Sequence, residues 1–317
     1  MIHPLYTSTK QMLEAHSFAS NEPTESDSEL LLAWVLIALS ESMQTLHRRA
    51  WMSAGQAFRM VQALRFHDID SPRNSTNSPH STPIPGVEDF IEVEQRRRVF
   101  WMAYFLDHLL SIRNDWPVTL NEHVVSTHAS VLIRLKICTR LPTPNLDFQT
   151  GQFVLGDFLS EAMTDPRPKL LSPFNECLIM VTICGRSLLR GQQQNISKAY
   201  GDTELGSAEQ RWWLDGILTT RLQVMSQCYP SPGEATDPLL LFAHILAPVT
   251  VLYYCNGMME SLAGPFGSEK NSDEITEYRH RALDATATVI RLAESMSELH
   301  FSKARKRLNR RVNAPFR

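Results

Sequence analysis

The chain has few cysteines, and they are not arranged as a metal site requires. Its 317 residues include five cysteines, and no two of them have the C-x2-C spacing. A binuclear zinc cluster needs six thiolates with closely spaced pairs, so these cysteines cannot form one. Their odd number and wide spacing favour free thiols in a reducing compartment. Cys177 and Cys184 are seven residues apart, as residues on one helix face are, and we expect both to pack in the core.

The chain also lacks an excess of basic residues. Its formal net charge is −3 and its pI is near 6.4. Proteins that bind nucleic acid usually present a basic face, and nothing in the main body of this sequence indicates one. The motifs G-x-S-x-G, G-x-G-x-x-G and the P-loop are absent as well. The sequence therefore predicts no nucleotide site, no hydrolase triad and no enzyme.

Long apolar runs are scarce. The run from Leu30 to Leu39 is too short to cross a bilayer, and no secretory leader precedes it. The stretch from Leu239 to Cys255 is longer, but it contains His244, Pro248 and Thr250. We interpret it as a core helix and expect no membrane partner.

Apolar residues recur every three or four positions through most of the chain, which predicts an all-α protein built as a multi-helix bundle. Capping and proline signals place the helices at about 30–47, 49–66, 92–112 and 173–193, with later ones starting near Ser207, Asp237 and Asp273. Pro248 predicts a kink. Residues 1–25 are expected to be a flexible N-terminus. Residues 70–90, rich in Pro, Ser and Asn, are expected to form a mobile loop.

The segment from Glu92 to Pro117 is the most informative part of the sequence. On a helical wheel Phe100, Tyr104 and Ser111 share an apolar stripe, with Asp107 and Arg97 about 40° to either side. Burying either charge without a partner is unfavourable, so we expect each to be paired within the fold.

Two further arginines on this segment favour a different interpretation. Arg96 and Arg98 each follow a glutamate, Glu92 and Glu94, by four residues, which is the favourable order for ion pairs on a helix surface. We expect them to form a solvated charged face above the buried stripe.

This segment resembles the middle homology region of fungal zinc-cluster transcription factors. The matching residues are Arg96, Arg97, Arg98, Phe100, Trp101, Asp107, Ser111 and Pro117. The family usually has Arg where this chain has His108. Its Gly-Arg before the proline is Asp115-Trp116 here, so the turn is expected to differ.

The segment from Ala54 to Asp68 resembles another block of the same family. Arg59, Gln62 and His67 match the family pattern, while Arg65 replaces a glycine that normally ends the helix. Later blocks resemble family members encoded in fungal secondary-metabolite gene clusters. The resemblance implies a regulatory domain over residues 26–303.

Two regions depart from the family. Residues 126–139 are an atypical insertion, which we interpret as a translated intron or a lineage-specific loop; transcript sequencing would decide between them. Residues 304–317 form a basic tail where the family continues differently. With Lys303, this tail is either a nuclear import signal or a solvated helix end; the import residues are Lys303, Arg305, Lys306, Arg307, Arg310 and Arg311.

The resemblance implies a nuclear regulator of a secondary-metabolite gene cluster that lacks its own zinc-cluster DNA-binding domain. It implies no cofactor in this chain, since zinc belongs to the missing cluster. The implied partners are other transcription factor subunits or related regulators, a small-molecule inducer, and DNA only indirectly or through a missing domain.

Two alternatives remain open. His67-Asp68, with His47 and Asp107, are the residue types of a helical metal-dependent phosphohydrolase, although adjacent helical residues point about 100° apart. Alternatively, the chain is a module that titrates related regulators by forming mixed dimers with them. Trp212-Trp213 and Tyr253-Tyr254 are interpreted as core residues rather than as the lining of a ligand pocket.

Overall fold

The prediction of an all-α protein is confirmed. The computed structural model describes residues 4–17, 27–71, 87–120, 137–152, 154–165, 167–200, 208–235, 237–262 and 272–312. Within those residues the regular structure is helical, apart from one isolated bridge between Arg140 and Phe158. This is the arrangement that a repeat of three and four residues favours.

Ten α-helices and one 3-10 helix occupy the described residues. The α-helices are α1 (Pro4–Ser17), α2 (Asp27–Met43), α3 (His47–Ala63), α4 (Val87–Asn114), α5 (Asn145–Gln149), α6 (Leu159–Thr164), α7 (Pro173–Tyr200), α8 (Ala208–Cys228), α9 (Pro238–Leu262) and α10 (Ser272–Val312); the 3-10 helix is Phe66–Asp68. The chain divides into two compact units, residues 1–185 (unit 1) and 186–317 (unit 2). No compositional break marks this division, because it falls within α7.

In unit 1, α4 packs against both α2 and α3. Large side chains fill the core, among them Trp34, Phe58 and Trp101, each at most 2% exposed. In unit 2, α9 packs against α8 and α10. As expected for core residues, Cys177 and Cys184 are buried, and Cys255 is buried as well.

Helix α9 is long and apolar enough to cross a membrane by length and composition alone, but half of its most apolar window is buried against the protein. The prediction of a helix that begins at Asp237-Pro238 is confirmed. The carboxylate Oδ1 of Asp237 accepts the N–H of Leu239 at 2.8 Å, which satisfies one of the free donors at the start of the helix.

The prediction of a flexible N-terminus over residues 1–25 is wrong for residues 4–17, which form α1. This helix binds to the buried carboxylate of Glu41 on α2. Tyr6 donates its hydroxyl to Glu41, and Lys10 Nζ lies 2.9 Å from Oε1 of the same carboxylate. Because these contacts are polar, α1 has no strong apolar stripe from which pattern analysis would have found it.

The edges of two predicted loops are also corrected. Residues 87–90 of the 70–90 loop belong to α4. Asp70, at the start of that loop, forms an ion pair with Arg97, whose partner the sequence did not identify. Residues 137–139 of the 126–139 insertion are held by the segment after α3: Cys138 N–H donates to the His67 carbonyl at 2.7 Å, and Asp70 N–H donates to the Cys138 carbonyl at 2.8 Å. Residues 72–86 and 126–136 of these two segments lie outside the described residues.

Candidate functional site: the buried charge cluster of helix α4

The apolar stripe predicted for α4 is the buried face of that helix. Phe100, Tyr104 and Ser111 are at most 1% exposed. Arg97 and Asp107, the two charges flanking the stripe, are 5% and 1% exposed. The prediction that both charges lie inside an α-helical scaffold is therefore confirmed.

Arg97 forms a bidentate ion pair with Asp70, a residue that precedes α4 in the chain. Its Nε and Nη2 donate to the two carboxylate oxygens of Asp70 at 2.9 and 2.5 Å. Glu94, one turn away on α4, accepts from Nη1 at 3.4 Å. Burial lowers the pKa of Arg97, but the hydrogen bonds and charges of Asp70 and Glu94 outweigh it and hold that pKa above its usual value. The guanidinium stays charged and fixes the segment after α3 onto α4.

Glu94 is fully buried and connects α4 to a second chain segment. Its Oε1 accepts the N–H of Thr143 at 2.9 Å and the Nε of Arg98 at 3.0 Å. Burial raises the pKa of Glu94, while these donors and Arg97 act in the opposite direction. A carboxylate in this position therefore depends on its partners, since an isolated buried charge is strongly unfavourable.

Arg98 does not lie on the solvated face predicted for it. Besides Glu94, it donates to the Thr143 carbonyl and to Asn145 Oδ1, both at 2.7 Å, and its guanidinium lies 4.2 Å from the centre of the Phe148 ring. The prediction failed because its i,i+4 partner is buried, which i,i+4 spacing cannot reveal. Arg96 does pair with Glu92 at 2.5 Å on the surface, as predicted.

Trp101 and Arg140 complete the cluster. The Trp101 indole N–H donates to the Arg140 carbonyl at 2.6 Å, and the Arg140 N–H donates to Asp70 Oδ2 at 2.8 Å. The Arg140 guanidinium covers the Phe158 ring at 4.3 Å. Two connecting segments, residues 66–71 and 137–145, are thus attached to α4 mainly through polar groups.

Asp107 holds the turn after α4. Its Oδ2 accepts the backbone N–H groups of Thr119 and Leu120 at 2.8 and 2.5 Å. Its Oδ1 is buried and accepts no hydrogen bond from any residue that the structure describes. Burial raises the pKa of Asp107 to about 7, although the two N–H donors act to lower it.

The turn after α4 was expected to differ from the family pattern, but its backbone takes a conformation suited to the family's glycine. Asp115, which stands where the family has Gly, has φ of +55°. The left-handed conformation is one that Gly adopts freely and that Asp tolerates. Ser111 then donates its hydroxyl to the Pro117 carbonyl at 3.3 Å.

A glycine of the family pattern is also replaced at the end of α3. Arg65 replaces the family's glycine and has φ of +56°, directly after the last turn of the helix. This explains why α3 ends at Ala63 rather than near Phe66, as the apolar pattern had indicated.

His108, the other departure from the family pattern, is buried against α7. Its ring lies 4.0 Å from that of Tyr104, and its Nδ1 donates to the Tyr104 carbonyl at 2.9 Å. A Cβ placed on Gly185 would lie 2.5 Å from Cδ2 of His108, so the imidazole requires glycine at that position.

Three other residues of the family motif lie apart from the cluster. Arg59 and Gln62 are exposed on α3, and Arg59 donates to the Gly55 carbonyl of its own helix at 3.4 Å. His67 is half-buried, and burial lowers the pKa of its imidazole. Its backbone carbonyl, rather than its ring, joins it to the segment around Cys138.

The structure does not bring His47, His67, Asp68 and Asp107 together as a set of metal ligands. The part of the chain that the structure describes contains no group of three His, Cys, Asp or Glu side chains placed to hold a metal. Asp68 pairs with Arg65 at 2.5 Å, while Asp107 binds backbone N–H groups. The six basic residues of the predicted import signal lie on the last part of α10, whose backbone is helical to Val312; their side chains are outside the description.

Unit 2 contains an open cleft between α8 and α10, with a volume of about 370 Å³. Trp212, predicted to be a core residue, is 77% exposed and lines this cleft, so that prediction is wrong. Tyr254, by contrast, is buried beside Tyr278, as predicted for a core residue. Asp215 and Arg281 form an ion pair at 2.7 Å in the wall of the cleft.

Sequence analysis missed Asp70, Glu94 as a buried group, and Thr143. Asp70 begins a polar, proline-rich stretch, and its composition favours exposure. The only available signal was the buried position of Arg97, which required an acidic partner without indicating which one.

Comparison with known proteins identifies the region that contains this cluster. Residues 3–151 match the model of the fungal specific transcription factor domain. This region belongs to that family. The match includes α1, the two connecting segments and all of α4.

The similarity to characterised regulators extends beyond this domain. The chain is 47% identical over 298 residues to the citrinin biosynthesis transcriptional activator mrl3 of Monascus ruber, covering 94% of this chain and 54% of that protein. It is 43% identical over 293 residues to the ascochitine biosynthesis cluster transcriptional regulator of Didymella fabae, covering 92% and 47%. It is 36% identical over 299 residues to the pigment biosynthesis transcriptional activator pigB of Monascus ruber, covering 94% and 51%.

The chain thus spans about half the length of these curated relatives. They are transcription regulators and not enzymes. No solved structure is a significant match to the chain.

Proposed function

We propose that this chain is the regulatory part of a nuclear transcription regulator that controls a fungal secondary-metabolite gene cluster. The observation that carries the proposal is the 47% identity to a biosynthesis activator across 94% of the chain. The buried α4 cluster supports it, because three residues that match the family motif, Arg97, Trp101 and Asp107, attach other segments of unit 1 to α4.

The cluster suggests how such a domain would be switched. Arg97, Glu94 and Asp107 attach three connecting segments to α4 through buried polar contacts. Such contacts are stable only when all partners are in place, so docking of each segment is an all-or-none event. A partner or inducer that binds the docked and undocked arrangements with different affinities would shift the equilibrium between them by that difference.

Deleting the gene in its fungus and measuring transcripts tests the proposal. Expression of the genes of one biosynthetic cluster should fall, and the wild-type chain should restore it. The Arg96→Met variant, altered only at a surface ion pair, should restore it equally well, whereas Arg97→Met should not. If no biosynthetic cluster changes its expression, the proposal is wrong.

The proposed route to DNA is indirect, through another subunit, a related regulator or a domain outside this chain. The net charge of −3 supports this. In a gel-shift assay the purified chain should bind only weakly and lose its binding as salt is raised. Tight, salt-resistant and sequence-specific binding would contradict the proposal.

A module that titrates related regulators is the second candidate, and it predicts the opposite genetic result. Deletion would then raise expression of the target cluster, and the chain would co-purify with a full-length relative.

The proposed small-molecule inducer would bind in the cleft of unit 2, whose volume is within the usual range of ligand sites. Quenching of Trp212 fluorescence, absent in Trp212→Phe, would report binding there.

A further inference from the structure

Helix α3 presents an outer face that is both basic and apolar. Its inner face is buried in unit 1, whereas Arg48, Trp51, Met52 and Arg59 lie on the outer face. On a helical wheel the other three fall within about 60° of Arg48. Trp51 and Met52 are 38% and 59% exposed. Trp, Met and Arg are residue types that are enriched where proteins contact one another.

The charges of α3 have a single sign. The helix contains Arg48, Arg49 and Arg59 but no Asp or Glu, although acidic residues outnumber Lys and Arg in the whole chain by 34 to 31. All three arginines are exposed, and no carboxylate of the described residues forms an ion pair with them. The outer face of α3 is therefore a positively charged surface whose guanidinium groups can accept carboxylate partners.

The turn after α4 adds a second aromatic ring to this face. The ring centre of Trp116 lies 4.9 Å from that of Trp51. The turn is held by Asp107, and the Trp116 N–H donates to the Ser111 carbonyl at 3.1 Å. The tryptophan pair is thus fixed before a partner arrives, which lowers the entropy that binding must remove. Asp115 of the same turn contributes one negative charge, against three positive charges on α3.

Gly55 leaves a shallow notch in the middle of the face. Trp51 lies one helical turn before it and Arg59 one turn after it. A Cβ placed on Gly55 would lie 3.6 Å from Nη1 of Arg59, which is ordinary contact distance. A partner's apolar side chain therefore has room to approach the helix backbone between the tryptophan and the arginine.

We propose that this face binds an acidic segment of a partner protein that also carries apolar side chains. The α3 surface is formed by Arg48, Arg49, Trp51, Met52, Gly55, Arg59 and Trp116. Carboxylates of the partner pair with the arginines, while an apolar side chain packs on the tryptophan pair and in the notch. Partner chemistry of this kind goes beyond the proposed function, because it does not depend on which genes the chain controls.

Charge complementarity selects this occupant over two others. A second copy of the chain would place arginine against arginine if α3 paired with itself, which is unfavourable. The phosphates of a nucleic acid would pair with the arginines, but they would leave Trp51 and Met52 without an apolar partner. A segment that combines carboxylates with apolar side chains satisfies both components of the α3 surface.

Fluorescence anisotropy with the whole chain tests the proposal. The probe is a fluorescein-labelled peptide of about twelve residues, half of them Asp or Glu and half Leu or Phe. It should bind saturably. A peptide with Lys in place of the acidic residues, and one with Ser in place of the apolar residues, should each bind at least about tenfold more weakly.

Reversing charge on the α3 surface should weaken binding of the acidic peptide. The double variant Arg48→Glu with Arg59→Glu should lower the affinity at least about tenfold. The matched control is Arg279→Glu with Arg291→Glu, which makes the same change in net charge at two exposed positions on α10. It should change the affinity by less than about twofold, because distant surface charges are screened by salt.

Two further variants separate lost binding from altered charge or lost folding. Trp116→Arg adds a positive charge but removes the ring, so it should weaken binding about fivefold or more, whereas charge alone would strengthen it. Gly55→Leu fills the notch and should also weaken binding. Its melting temperature should not fall, because Leu favours a helix more than Gly does.

The proposal is overturned if the acidic peptide does not bind, if Trp116→Arg binds it as tightly as the wild type, or if the α10 control loses as much affinity as the α3 variant. A fluorescein-labelled DNA duplex that binds as tightly as the peptide and is released by the same α3 variant would show a phosphate-binding surface instead. None of these results alters the expected fall in transcripts after gene deletion, so the two proposals fail separately.

Discussion

Helices α4 and α10 both carry many charges, but they use them in different environments. On α4, Arg97 and Asp70 form a pair whose side chains are only 6% and 12% exposed. On α10, Arg281 pairs with Asp215 at 2.7 Å, but their side chains are 27% and 33% exposed. The two ion pairs have similar lengths, but we expect the loss of one partner to cost more stability in the buried pair. Water can solvate the remaining charge of the exposed pair far more easily than that of the buried pair.

Replacing the two arginines is the strongest test of this comparison. Arg97→Met removes both hydrogen bonds that Asp70 receives from the guanidinium and the longer 3.4 Å contact to Glu94, so it should lower the free energy of unfolding by about 3–5 kcal/mol. Arg281→Met removes a half-exposed pair and should cost about 1 kcal/mol or less. Urea denaturation followed by circular dichroism measures both. Equal losses would mean that burial does not distinguish the pairs.

The two units should also differ in their tolerance of added volume. Gly185→Ala in unit 1 drives a methyl group into the His108 ring, and overpacking of this kind costs about 1–3 kcal/mol. Gly216→Ala in α8 of unit 2 meets no atom within 4 Å and should instead stabilise its helix by up to about 1 kcal/mol. Melting temperatures that shift in the same direction for both variants would contradict this difference.

Asp107 makes the stability of unit 1 depend on pH. Its pKa rises from 3.8 to about 7 on folding, so between these values the folded state holds a proton that the unfolded state has lost. The contribution of this group to stability is therefore complete below about pH 4 and is lost as the pH rises toward 7, by at most about 1.4 kcal/mol per pH unit.

Asp107→Asn imitates the protonated acid and removes this dependence. Relative to the wild type, the variant should gain stability as the pH rises from 5 to 7, and the gain should level off above pH 7. Asp107→Leu should be less stable at every pH, because Thr119 and Leu120 lose their hydrogen-bond acceptor. A difference between Asn and wild type that does not change with pH would refute the assignment.

The smallest expected effects concern Arg65 and Asp115, two of the residues of unit 1 that have a positive φ. Arg65→Gly and Asp115→Gly should each raise the free energy of unfolding by about 0.5–1 kcal/mol, since glycine adopts a positive φ without strain. Arg59→Gly, within helix α3, should lower it by about 1 kcal/mol. If the two replacements at positive φ also destabilise, then the side chains present there contribute more than the strain they cause.

Periodicity predicted most of the helices because it reports a local property. The stripe of Phe100, Tyr104 and Ser111 was assigned correctly, and so was the start of α9 at Pro238. Helix α1 was not predicted, because it binds to α2 through the polar side chains of Tyr6 and Lys10. The end of α3 was placed too late, because Arg65 adopts a left-handed conformation that glycine usually provides. In both cases the deciding contact or backbone angle has no counterpart in the apolar pattern.

The candidate site was predicted only in part, and for a related reason. The sequence alone determined that α4 would bury Arg97 and Asp107, since their positions on the wheel follow from the helical repeat. Only the tertiary structure decided that Arg97 would pair with Asp70, 27 residues earlier in the chain, and that Asp107 would bind backbone rather than a charge. Helical spacing is set by each residue's neighbours, whereas the partner of a buried charge depends on which distant segment packs beside it.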